Sequence, residues 1–149
     1  MPQGKPGTPP NYGWHQARKN QGFHVLGVKI TENVRWDKQV EKCGLTLSHQ
    51  SSAIVKLQRK TINKPTSPVL ETYNTQALGA VLYGAEIWGH ANTANLTKAE
   101  NQFVRSLLSL PASTPLLPLF LDLGLKHVAQ KAQLRPLLFW LSLLRTDKL

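Results

Sequence analysis

Residues 36–60 read "WDKQVEKCGLTLSHQSSAIVKLQRK". Trp36, Val40, Cys43, Leu47, Ile54 and Leu57 recur at steps of three and four, with Gln50 interrupting the seam. That spacing puts one apolar face on a helix of about 25 residues. Lys38, Lys42, Lys56, Arg59 and Lys60 fall on the other face. Gly44 weakens the helix by about 1 kcal/mol relative to Ala. A long amphipathic helix of this kind needs partners for its apolar side, so the flanking sequence has to supply further helices.

Downstream, "NKPTSP" at 63–68 carries two prolines and stops the helix. A second helix is expected over about 68–89. Val69, Tyr73, Ala77, Ala80, Val81, Gly84 and Trp88 form its face, widened by Leu70, Leu78, Leu82 and Ile87. A helix apolar on most sides belongs at the centre, and Gly79 and Gly84 would let a neighbour approach closely. After the "HANTAN" turn at 90–95, a third helix spans about 95–109. Leu96, Phe103, Leu107 and Leu110 point inward, and Lys98 and Arg105 outward. Ser113 or Thr114 can cap a short helix that ends at Gly124. A last helix occupies about 126–145, where Pro136 should kink or split it.

Upstream, "GFHVLGVKIT" at 22–31 is the one convincing extended run, and its Gly27 marks a bulge or a close backbone approach. "TENV" at 31–34 reads as a turn. Residues 1–21 hold Pro2, Pro6, Pro9 and Pro10 among glycines and polar residues, and read as a disordered tail. The fold class is therefore mainly α: four or five helices, preceded by a short β-strand or hairpin and the tail. The organisation is 1–21 tail, 22–35 short β element, 36–149 helical region.

The formal charge is +10. Residues 1–65 carry eleven of the eighteen Lys/Arg against three of the eight acids. A basic half joined to a near-neutral half suits a polyanion, with a merely solvated exterior as the other reading. Phosphate contacts need only cations and read no sequence. Lys29 and Arg35 before the long helix, with Lys38, Lys42, Lys56, Arg59 and Lys60 on it, are the candidate contacts. The single cysteine, Cys43, excludes a disulfide framework and fits a reducing, intracellular setting, nucleus or cytoplasm. The longest apolar run, "PLLFWLSLL" at 136–144, falls well short of the ~20 residues a spanning helix needs, so no membrane partner is expected.

No enzyme core is legible. Asp37, Asp122 and Asp147 are isolated, and the five histidines have no metal-ligand spacing. "GKPGT" at 4–8 lacks the strand and helix of a phosphate loop, and no Gly-x-Ser-x-Gly elbow occurs. No metal or cofactor is expected. Glu86, the lone carboxylate in "AVLYGAEIWGH" at 80–90, therefore reads as a surface or interhelical ion-pair partner, for Lys98 or Arg105.

The order of the motifs carries a resemblance over about residues 22–146. "FHVLGVKIT", Trp36 and a long helix, "AVLYGAEIWG", "ENQFVRSLLSLPASTP", "LFLDLGL" and "QLRPLLFWLSLL" follow one another. This resembles the C-terminal part of the reverse transcriptase of non-LTR (LINE-type) retrotransposons. In that family a segment like Phe23, Leu26, Gly27 and Val28 forms the hairpin that grips the primer, and Val25 stands where the family has a tyrosine. The following helices resemble the thumb along the template–primer duplex. Tyr83, Gly84, Glu86 and Trp88 match one signature. Gln102, Phe103, Arg105, Leu107, Leu108, Pro111, Thr114 and Pro115 match the next. The resemblance implies contacts from Leu26 and Gly27 and weak affinity for RNA/DNA duplex backbone. The palm with its paired aspartates, the fingers and the endonuclease are not in this sequence. The expectation is thus a fragment of an RNA-directed DNA polymerase, the relic of a truncated reading frame, that does not polymerise. A reading from another class is a helical protein-interaction module, self-associating through apolar surface left by the missing palm.

Overall fold

The computed structural model describes residues 23–31, 35–60 and 65–146. The tail over 1–21 and most of the "TENV" turn lie outside the described residues.

The architecture is mainly helical, with one two-stranded antiparallel sheet. Strands β1 (Phe23–Val25) and β2 (Val28–Ile30) pair with Val25 opposite Val28. The extended run is thus a hairpin rather than one strand. Leu26 and Gly27 form its two-residue turn, with φ of 47° and 84°. Two successive positive φ values belong to the type I′ turn, whose twist matches paired strands. Gly27 therefore closes a turn and is not a bulge. Leu26 adopts the same left-handed region at a steric cost and stands 83% exposed at the tip.

Helix α1 (Asp37–Lys60) follows, close to the expected span. It buries Val40, Cys43, Leu47 and Ile54, as the periodicity predicts, together with Gln39, Ser51 and Val55. Leu57 departs from expectation and is 65% exposed. Its turn of the helix shares an angular position with Gln39, eighteen residues earlier, at about 100° per residue. There the hairpin covers that side: the Lys29 amide donates to Gln39 Oε1 at 2.8 Å. About 27 Å further along, the hairpin is left behind.

The expected second helix is divided. Helix α2 (Thr66–Thr72) runs through a π-helical turn, Tyr73–Ala77, into α3 (Leu78–Val81). Gly84 then adopts φ 68° and breaks the chain direction before α4 (Ala85–Trp88). A Cβ on Gly84 would stand 2.8 Å from Val28 Cγ2, so the hairpin seats against this bend. Gly79, by contrast, faces open space and permits no close approach.

Helix α5 (Ala94–Leu108) lies along α1, with Gly44 against Asn95. Helix α6 (Leu117–Asp122) begins without the side-chain cap expected from Ser113 or Thr114, and the chain turns at Gly124 with φ 63°. Helix α7 (Val128–Thr146) continues through Pro136 without splitting. One core joins β2 to the helices, from Val28 through Leu47, Tyr73, Trp88 and Phe103 to Val128 and Ala132. Each large apolar side chain sealed there contributes about 1.5–3 kcal/mol.

Candidate nucleic-acid interface

Burying Val40, Cys43, Leu47 and Ile54 forces the opposite face of α1 toward solvent. Lys38, Lys42, His49, Lys56 and Lys60 occupy it, all exposed. At about 100° per residue these five positions fall within an arc of about 40°. The stripe from Lys38 to Lys60 is about 33 Å long, close to one turn of duplex. Its width and straightness follow from steps of four and seven residues.

Near its start the stripe meets the hairpin. Lys29, Lys38, Lys42 and His49 line one recess of about 450 Å³, together with Glu41. Lys42 Nζ donates to the Gly27 carbonyl at 3.2 Å, tying the turn to α1. Leu26 projects beside it. Arg35, also exposed, is fixed at the entry to α1 by its amide, which donates to Thr31 Oγ1 at 3.0 Å. The structure thus gathers Leu26, Gly27, Lys29, Lys38 and Lys42 at one end. Lys56, Arg59 and Lys60 lie at the other.

That second end meets α5. Arg59 Nη2 donates to the Ser106 carbonyl at 3.1 Å, spanning the seam between the helices. Arg59, Lys98, Gln102 and Arg105 line a groove of about 790 Å³ there. Lys98, Gln102 and Arg105 were not among the residues expected at the interface. Their spacing, four then three residues, was the available signal, since it places them in one row of α5. Arg105 is half-buried rather than outward, and its Nε is closed to solvent without a hydrogen-bond partner. Ser51 Oγ, beneath the same seam, also lacks a partner. A buried polar group left unpaired costs about 1–3 kcal/mol.

Among the described residues, the one buried acid is Glu100. Glu100 is 0% exposed. The Val128 amide donates to both of its oxygens at 3.1 Å, and His127 Nδ1 lies 3.2 Å from Oε2. Tyr73 Oη stands 3.5 Å from Oε1, while the Tyr73 ring stacks on Phe103 at 4.1 Å. Burial pushes the Glu100 carboxyl up; the Val128 amide, His127 and Lys131 pull it back only in part. Burial first, then the Glu100 charge, pushes the Tyr73 phenol up as well. A carboxylate receiving the first amide of α7 complements the positive end of that helix. Glu100 therefore joins α5 to α7.

Glu86 is half-exposed and pairs with Arg135 at 3.1 Å, not with Lys98 or Arg105. Arg135 also donates to the Leu82 carbonyl at 3.1 Å. The expectation of an interhelical pair holds, but the partner belongs to α7. Gly89 decides this: its bare Cα lets α4 press on the Ala132 carbonyl, which Pro136 has deprived of its helical donor. Cys43 is buried; Gln39 Nε2 donates to its sulfur at 3.5 Å, and burial raises the thiol pKa.

Beyond Ala132, α7 leaves the core. Leu134, Leu137, Leu138, Phe139, Trp140, Leu141, Leu143 and Leu144 are each at least 42% exposed. No helix among the described residues is long and apolar enough to cross a membrane. Among the described residues, no three His, Cys, Asp or Glu side chains cluster where a metal could be held. No protein-family model, curated protein or solved structure matches this chain.

Proposed function

We propose that this chain binds nucleic-acid backbone without reading sequence, as the thumb-like helical part of a non-LTR retrotransposon reverse transcriptase, separate from that enzyme's catalytic residues. The observation that carries the reading is the lysine stripe of α1, running straight from the hairpin to the α5 groove. Cations in a row on a rigid helix meet successive phosphates, and such contacts do not distinguish bases. In this reading the chain works in the nucleus or cytoplasm, on RNA/DNA duplex, and extends no primer.

The test is fluorescence anisotropy of the purified chain with RNA/DNA duplexes of unrelated sequence, over a salt series, beside a primer-extension assay. Equal affinity for the duplexes, falling steeply with salt, is the expected result. Affinity indifferent to salt would sink the reading, since about five neutralised phosphates give a log–log slope near −4.5.

A second reading, a protein-interaction module, is favoured by the apolar side chains along residues 134–144 of α7. Contiguous apolar surface of this kind commonly serves association. In this reading it mediates self-association. Sedimentation showing a monomer at all concentrations, with no binding of an apolar dye, would remove it.

A further inference from the structure

The seam between α1 and α5 holds a cavity of about 160 Å³. That is room for about five waters at ~30 Å³ each. Ser48, Ser51, Ser52, Lys56, Arg59 and Ser106 are among its lining residues, and no carboxylate is. Hydroxyls, a guanidinium and an ammonium all donate hydrogen bonds, so the lining is matched to an anion with several acceptor oxygens.

One atom of this lining is unsatisfied in the way a waiting site would leave it, and a second lies in the adjoining groove. Ser51 is 3% exposed and its Oγ has no partner. Hydroxyls elsewhere on these helices close back on the preceding turn: on α1, Thr46 Oγ1 donates to the Lys42 carbonyl at 2.9 Å, and on α5, Thr97 Oγ1 to that of Thr93 at 3.4 Å. Ser51 does not. Arg105 Nε is the second such atom, in the groove that shares Arg59, Gln102 and Ser106 with this cavity. Arg59 is fixed across the mouth by its bond to the Ser106 carbonyl. Lys56 belongs both to the cavity and to the lysine stripe.

We propose that this cavity seats one phosphoryl group, with the Ser51 hydroxyl on its floor and Arg59 and Lys56 at its mouth. Resting on the function proposed above, the phosphoryl group is a backbone phosphodiester, and the cavity is the fixed point from which the strand follows α1. The open stripe supplies attraction; the cavity supplies register along the backbone.

The test uses the full chain, Ser51→Ala and Arg59→Gln, with thermal unfolding as the control for folding. Ser51→Ala removes the unpaired hydroxyl and is a favourable helix substitution, so its melting temperature should equal or exceed that of the native chain. Its duplex affinity should nonetheless fall about tenfold with an unchanged salt slope, since a bond to a charged group is lost without loss of charge. Arg59→Gln should weaken binding and reduce the slope by about one. A parallel arm adds inorganic phosphate: it should raise the melting temperature of the native chain more than that of Ser51→Ala at equal ionic strength. If the native chain binds duplex and Ser51→Ala binds it equally, the cavity is no seat, and the stripe alone stands. If duplex fails to bind but phosphate stabilises the native chain over Ser51→Ala, the seat stands and the nucleic-acid reading falls. If phosphate and duplex both leave the two proteins alike, the inference is overturned.

Discussion

Helices α1 and α7 are the two longest among the described residues, and they treat their apolar residues in opposite ways. Helix α1 divides its circumference: Val40, Cys43, Leu47 and Ile54 are sealed, and lysines face water. Helix α7 buries Val128 and Ala132 at its base, then exposes leucines, Phe139 and Trp140 along the rest. The difference lies in the pattern. An amphipathic stripe is satisfied by packing on one side, whereas a helix apolar all round needs walls on every side. This core offers α7 one wall, formed by α4 and α5, and only at its first turns.

The largest effect should come from reversing the ordered face of α1. Changing Lys38, Lys42, Lys56 and Lys60 together to Glu should lower duplex affinity by more than about 10³-fold at moderate salt. Circular dichroism should stay native, because these side chains are exposed. A quadruple variant that binds normally would break the comparison at its functional end.

The base of α7 can be attacked next. Gly89→Ala puts a Cβ into the Ala132 and Ala85 carbonyls and should cost about 2–3 kcal/mol in denaturant unfolding. Glu100→Gln sharpens the same point through pH. Burial raises the Glu100 carboxyl above its ordinary range, with Tyr73, His127 and Lys131 as the groups facing it. Its contribution to stability is therefore full below the ordinary carboxylate pKa and is lost as pH rises through the elevated value. The stability of the native chain minus that of Glu100→Gln should accordingly decline over that window. A difference that grows with pH would contradict the buried geometry.

At the far end of α7, Leu137→Gln, Leu141→Gln and Leu144→Gln combined should change unfolding free energy by no more than about 0.5 kcal/mol per site. They should also suppress concentration-dependent sedimentation. A large destabilisation would mean that this half is packed and not exposed. The smallest effect belongs to Glu86→Ala. Its pair with Arg135 is half-exposed on both sides, so a loss below about 1 kcal/mol is expected.

How much of this was legible varies with the range of the interaction involved. The span of α1 and most of its buried positions follow from three- and four-residue steps. Leu57 shows the limit: its spacing was correct, but the hairpin covers that side only beside Gln39. Lys29, Lys38 and Lys42 were legible as cations, and their shared recess was not, because it depends on how the hairpin docks. Lys98 and Arg105 read as solvated residues of another helix until α5 lay along α1.

The sequence by itself determined the spans of α1 and α5, which of their faces are apolar, and that the first half is strongly basic. Those properties depend on residues within one or two turns of each other. Tertiary structure alone decided that Glu100 is sealed, that Arg135 is the partner of Glu86, and that a hydroxyl-lined cavity opens between α1 and α5. Each of those depends on which faces meet across intervals of 27 residues or more. Gly84 and Gly89, bare of side chains, admit Val28 and Ala132 at close range, and no local period encodes those approaches.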